Sequence, residues 1–154
     1  MPDPDFLAQA RSPAVGACFA YWQSKRKPGR LPGRQDIDPA EMKPFLEYVI
    51  LFDVVREPGR SYRFRQRLLG THIVELFGRD TTGRFVDEPS APSHYESVHR
   101  RLTAVVDRHQ PAFGIYYPPT PHLDFLEYEH LTLPLATDGS LVDMLFGVRC
   151  GLGK

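Results

Sequence analysis

Residues 47–56 read Glu-Tyr-Val-Ile-Leu-Phe-Asp-Val-Val-Arg, with apolar side chains at both alternating sets of positions. Successive side chains of a strand point to opposite faces, so a strand with one wet face alternates apolar and polar residues. A β-branched and aromatic run without that alternation reads as a strand covered on both faces. The chain must therefore place one layer above its sheet and another below it.

The segments around this strand supply both layers. Glu57-Pro58-Gly59-Arg60 is a turn, and Ser61–Leu69 makes a second, antiparallel strand. Simple alternation puts Tyr62, Phe64, Gln66 and Leu68 on one side of it and Arg63, Arg65 and Arg67 on the other. Thr71 is placed to cap a short helix from His72 to Phe77, which Gly78 ends. Asp80-Thr81-Thr82-Gly83 reads as a cap and turn. Ser93 and Glu96 form a capping box that opens a longer helix to about His109. Its stripe is Tyr95, Val98, Leu102, Val105 and Val106, and Pro111 closes it. Strands follow at Ala112–Tyr117, Phe125–Leu135 and Leu141–Arg149, with Asp138-Gly139 as the last hairpin turn.

Ahead of the first strand, Ser12-Pro13 starts a helix over about 13–26 with Val15, Cys18, Phe19 and Trp22 on one face. A basic linker, about 27–36, follows. Asp38-Pro39-Ala40-Glu41 reads as a capping box, in which Asp38 caps and Glu41 reaches back, and Pro44 keeps that helix short. The predicted fold is α+β: a five-stranded antiparallel sheet with crossover helices on one face. The N-terminal helix packs on the other face or on a partner. One domain over 1–154 is expected, with its core at about 37–150.

Composition narrows the function classes. The 154 residues hold 19 basic and 19 acidic side chains, a formal net charge of zero. No global field then draws the chain to nucleic acid or anionic lipid. The start, Met1-Pro2-Asp3-Pro4-Asp5, lacks the pattern of a signal peptide, and no run of about 18 apolar residues suggests a membrane span. Two cysteines, Cys18 and Cys150, stand far apart in no metal-type spacing. A cytoplasmic protein with reduced thiols is the expectation, a single disulfide being the alternative.

Leu31-Pro32-Gly33-Arg34, Asp36-Ile37-Asp38-Pro39, Arg65 to Thr71, Gly78 to Arg84, and Leu133-Pro134-Leu135 ahead of Asp138-Gly139 occur in that order. Together they resemble a PAS-like family of small alphaproteobacterial proteins, over about Trp22 to Gly147. The resemblance implies a PAS fold, whose crossover helices and inner sheet face enclose a small-molecule cavity. It also implies a regulatory role and brings no particular ligand. The motif positions are Trp22, Asp38, Pro39, Arg67, Gly70, Thr71, Gly78, Asp80 and Gly83, read as structural. Arg67 is expected to pair with Asp36, Asp38 or Asp80.

Catalytic and cofactor signals are weak. No phosphate-cradling loop, dinucleotide fingerprint or Gly-x-Ser-x-Gly occurs. His94, His99 or His109 could hold haem, and Asp87, Glu88 and His94 a metal, but isolated histidines are more often structural. Haem is not expected. Arg63 and Arg65 read first as a solvated face and second as an anion- or nucleic-acid-binding one. The predicted pocket draws on Tyr48, Ile50, Phe52, Phe64, Leu68, Ile73, Phe77, Tyr116, Tyr128 and Phe146.

The function expected is a non-catalytic sensor or interaction module acting in trans, as a homodimer or docked on a signalling protein, and responding to an unidentified small molecule. Its mobile part would be the N-terminal helix and basic linker. The competing reading is a small cone-shaped α+β enzyme of cyclase or isomerase type. Its pocket would need an Asp–His pair, Asp53 or Asp143 with His130.

Overall fold

The computed structural model describes residues 5–88, 92–117 and 127–152, and for 92–94 the backbone alone. Helix α1 spans Pro13–Ser24, followed by 3-10 turns at Arg34–Asp36, Pro39–Glu41 and Leu46–Tyr48. Strands β1 (Val49–Val55) and β2 (Arg63–Leu69) come next, then helices α2 (Thr71–Phe77) and α3 (Pro92–Arg108). Strands β3 (Ala112–Tyr116), β4 (Tyr128–Leu135) and β5 (Met144–Gly151) complete the order. Phe125 and Leu126, where the fourth strand was expected to begin, lie outside the described residues, as does the Ser93 side chain of the expected capping box.

One antiparallel sheet, in the order β2-β1-β5-β4-β3, joins the early hairpin to the late meander. The doubly apolar β1 is covered twice. Val49 and Leu51 pack with Val15, Cys18 and Trp22 of α1 on what we call the outer face. Ile50 and Phe52 pack with Ile73 of α2 and with Val98, Leu102, Val105 and Val106 of α3 on the inner face. Helix α1 therefore lies on its own sheet. Among the described residues no helix is long and apolar enough to cross a membrane.

Several local expectations are corrected by long-range contacts. Ser12 sits at the cap position of α1 without a side-chain cap. The fully buried Glu129 carboxylate of β4 ties this helix start down by accepting from the backbone N–H groups of Arg11 and Ser12, at 2.6 and 2.9 Å. Asp38 does cap, accepting from Ala40 N at 3.0 Å, but Glu41 does not reach back. The Asp38 amide donates to the Tyr21 hydroxyl, which donates in turn to Glu41. Thr71 begins α2 rather than capping it. Gly70 holds the cap position because its Cα abuts the Glu47 carbonyl, leaving no room for a Cβ. Gly78 ends the helix with φ +81°, a conformation glycine adopts without strain.

The basic linker is not free. Leu31 N donates to Gly139 O and Ala136 N to Pro32 O, at 2.9 and 2.8 Å. Arg30 and Gln35 side chains donate to the carbonyls of Asp138 and Thr137. These bonds satisfy the backbone of the β4–β5 connection. That connection runs over 136–143 and is longer than a tight hairpin, since the last β4–β5 pair is Leu135–Met144. Segment 83–86 shields the outer edge of β2, with Gln66 N donating to Arg84 O and Val86 N to Phe64 O.

Candidate ligand-binding site

Strand alternation delivers a polar group to the middle of the inner face. His130 of β4 stands directly opposite Arg149 of β5. Both are buried, with Arg149 only 9% exposed. The Arg149 guanidinium carbon lies 5.7 Å from the Phe52 ring, 5.6 Å from Phe77 and 5.8 Å from Tyr128. From α3, Arg101 lays its guanidinium 3.6 Å over the Tyr116 ring. Tyr116 and Tyr128 are themselves neighbours, with ring centres 6.0 Å apart. A strand, a helix and four aromatic rings thus converge on two cations.

The electrostatics of this group are unusual for a core. Burial pushes the His130 pKa well below the ordinary imidazole value, and the Arg149 and Arg101 charges push the same way, so the ring is neutral. Its Nε2 lies 3.2 Å from Thr132 Oγ1. Burial also lowers the Arg149 pKa; Tyr128 opposes this and Arg101 adds to it. Arg149 Nε and Arg101 Nε and Nη1 are buried without a hydrogen-bond partner among the described residues. Among the described residues no carboxylate forms a salt bridge with either guanidinium, although six ion pairs occur elsewhere.

The predicted pocket residues divide between the two faces. Ile50, Phe52, Phe64, Ile73 and Phe77 belong to the inner cluster, and Tyr128 and Tyr116 border it through Phe77 and Arg101. Tyr48, Leu68 and Phe146 pack with the outer cluster and are excluded from the inner group. The causes are local. Tyr48 sits in the 3-10 turn before β1, where strand alternation does not apply. Its ring instead meets His72 edge-on at 4.7 Å. A bulge in the β1–β2 ladder pairs Leu51 with Leu68 but Phe52 with Gln66. The extra residue, Arg67, flips the alternation, so Leu68 faces outward while Phe64 and Gln66 face inward. Phe146 pairs with Leu51 and Leu133, both outer residues.

The arginine row of β2 is already engaged. Arg65 and Arg67 reach Asp53 Oδ2 at 3.0 and 3.5 Å, and Arg63 reaches Asp87 at 3.2 Å while stacking on Phe85. Arg67 therefore pairs with Asp53, not with Asp36, Asp38 or Asp80, because it follows Arg65 on the outer side of β2, where Arg65 stands opposite Asp53. These contacts also place Asp53 on the face opposite His130. Asp143 is bonded to Thr137 in the β4–β5 connection. The Asp–His pair that the enzyme reading needs is not assembled. Asp80 makes the expected turn, accepting from Thr82 N at 2.9 Å, and Gly83 follows with φ +90°.

Of the other histidines, His99 lies 2.8 Å from the Tyr62 carbonyl, and His72 accepts from Gly151 N at 3.0 Å. His109 ends α3 on the surface. The His94 side chain lies outside the described residues. Among the described residues no cluster of histidine, cysteine and carboxylate side chains could hold a metal. Cys18 and Cys150 are free and buried.

A helical crossover joins the antiparallel hairpin to the meander, as the sequence resemblance implies. The PAS domain family model matches residues 10–149. The chain belongs to the PAS domain family. PAS domains are signalling sensor modules, and this one has the expected sheet and helix order. The fold is similar to the PAS domain of BvgS from Bordetella pertussis, with a TM-score of 0.51 at 15% identity. The match covers 73% of this chain and 85% of that one. The PAS domain of the histidine kinase ThkA also matches, with a TM-score of 0.44 at 14% identity over 66% of this chain and 98% of that one. No curated protein matches the sequence.

Sequence reasoning missed Arg149, Arg101 and Thr132. The signal for Arg149 was present: a lone charge inside Met-Leu-Phe-Gly-Val-Arg-Cys, on a strand otherwise apolar. Arg101 stands beside the stripe residue Leu102 and resembled any exposed helix arginine.

Proposed function

We propose that this PAS domain is a non-catalytic sensor whose inner-face polar group binds a small molecule and whose output is a change in protein contact. The carrying observation is the placement of Arg149, Arg101 and His130 among aromatic rings where a plain core would hold aliphatic side chains. Burying charged groups without partners is costly, and a fold retains them where something else completes them. A few convergent polar groups in an aromatic setting are the usual make-up of a small-molecule site.

The contact is made in trans, with a second copy or with a signalling protein. Ligand changes it only by binding one conformation better than the other. Native mass spectrometry of freshly purified protein tests both parts. A retained small molecule that is lost on denaturation, together with a dimer peak, is expected. A ligand-free monomer that captures nothing from a metabolite extract overturns the reading.

A further inference from the structure

Resting on that reading, we propose that the ligand is a small organic carboxylate, gripped by the Arg101 and Arg149 guanidiniums between the aromatic rings of the inner face. Three buried N–H-bearing nitrogens, Arg149 Nε and Arg101 Nε and Nη1, have no acceptor among the described residues. Each belongs to a planar fork whose geometry matches the two oxygens of a carboxylate. Arg101 is held flat on Tyr116 at 3.6 Å, and Arg149 is ringed by Phe52, Phe77 and Tyr128, so both forks are oriented before any ligand arrives. Pre-oriented donors lose little freedom on binding.

The surroundings select the rest of the molecule. Neutral His130, opposite Arg149, and its neighbour Thr132 offer one further N–H or O–H donor. The remaining walls are aromatic and suit an apolar body rather than a second charged end. Among the described residues the inner face has no row of backbone amides or glycine loop of the kind that cradles phosphate. The two positive charges oppose each other until an anion enters. Binding then removes that repulsion as well as supplying acceptors.

The test is isothermal titration calorimetry and thermal unfolding of the full chain with acetate, butyrate and benzoate. Inorganic phosphate and chloride at matched ionic strength are the controls. At least one carboxylate is expected to bind and raise Tm while phosphate and chloride do not. Arg149→Met and Arg101→Met should each weaken binding by about 10- to 150-fold, the loss of one charged hydrogen bond. Arg149→Met should also raise the Tm of the ligand-free protein, because it removes a buried unpaired charge. That rise separates a loss of binding from a loss of fold. Arg149→Lys, which keeps the charge without the fork, should bind with intermediate affinity.

Equal responses to chloride, binding unchanged in both arginine variants, or no binding of any of the three carboxylates overturns the assignment. A neutral compound retained in native mass spectrometry alongside such a result overturns the carboxylate and leaves the sensor standing.

Discussion

Trp22 Nε1 donates to the Pro134 carbonyl at 2.9 Å across the buried seam between α1 and β4. Pro134 lies past Ala112–Thr132, where β3 stops pairing with β4, so its missing N–H breaks no bond of the β3 ladder. Its carbonyl is left to the indole. Trp22 is fully buried, so replacing it tests both packing and this bond. Trp22→Phe should destabilise by about 1–3 kcal/mol through the stranded carbonyl, and Trp22→Ala by about 3–5 kcal/mol through the cavity. Urea unfolding reads both. A neutral Trp22→Phe would show that the bond does not anchor α1.

Asp53 serves two arginines unequally. Its side chain is 16% exposed, against 42% for Arg65 and 59% for Arg67. The nearer and less exposed Arg65 should therefore dominate. A double-mutant cycle should give about 0.5–1 kcal/mol of coupling for Asp53–Arg65 and less for Asp53–Arg67. Raising salt should reduce the second term more than the first. Equal couplings would refute the geometric argument.

His130 makes stability depend on pH. Its folded pKa lies well below the ordinary value, chiefly through burial and then through Arg149 and Arg101. In the unfolded chain it titrates near the free value of about 6.5. Below that pH the unfolded state takes up a proton that the folded state refuses, so stability is full above about 6.5 and falls as pH drops. The slope approaches about 1.4 kcal/mol per pH unit until the folded pKa is reached. Subtracting the profile of His130→Asn removes the carboxylate contribution common to both proteins. Parallel profiles would mean that His130 is not held neutral.

Both thiols should be inert in the folded protein. Burial pushes the Cys18 pKa well above the ordinary value, with Cys150 adding to it. Burial raises Cys150 to about 12, where Glu129 and Glu47 add and a Ser12 hydrogen bond opposes. Reactivity follows the thiolate fraction, which is minute here at neutral pH. Ellman's reagent should find no fast thiol in the native chain and two in denaturant. Rapid native reaction of either would contradict the burial of the α1–β5 seam.

The elements were legible wherever their cause was local. The doubly apolar β1 run demanded two layers, and two layers cover it. The stripe of Val98, Leu102, Val105 and Val106 packs inward as its spacing indicates. Gly78 ends α2 because its left-handed φ is a property of the residue itself. Caps were less legible. Ser12 and Glu41 have the right chemistry, yet the Ser12 side chain makes no cap and Tyr21 takes the Asp38 amide that Glu41 was expected to reach. Leu68 was misplaced because a one-residue bulge is invisible to strict alternation.

The amino-acid order determined the number and type of elements, the need for helices on both sides of the sheet, and the aromatic character of the inner face. Those properties arise from neighbours within a few residues, through periodicity, glycine backbone freedom and the preferences of β-branched side chains. Only the tertiary structure decided that His130 stands opposite Arg149, that Arg101 approaches from α3, and that Arg67 turns to Asp53. Each joins residues far apart in the chain, and ladder register and helix docking set their distances. Charge in a sequence looks the same whether water or a ring surrounds it. The fold chose the ring for Arg149, and that choice puts a charge inside the inner face.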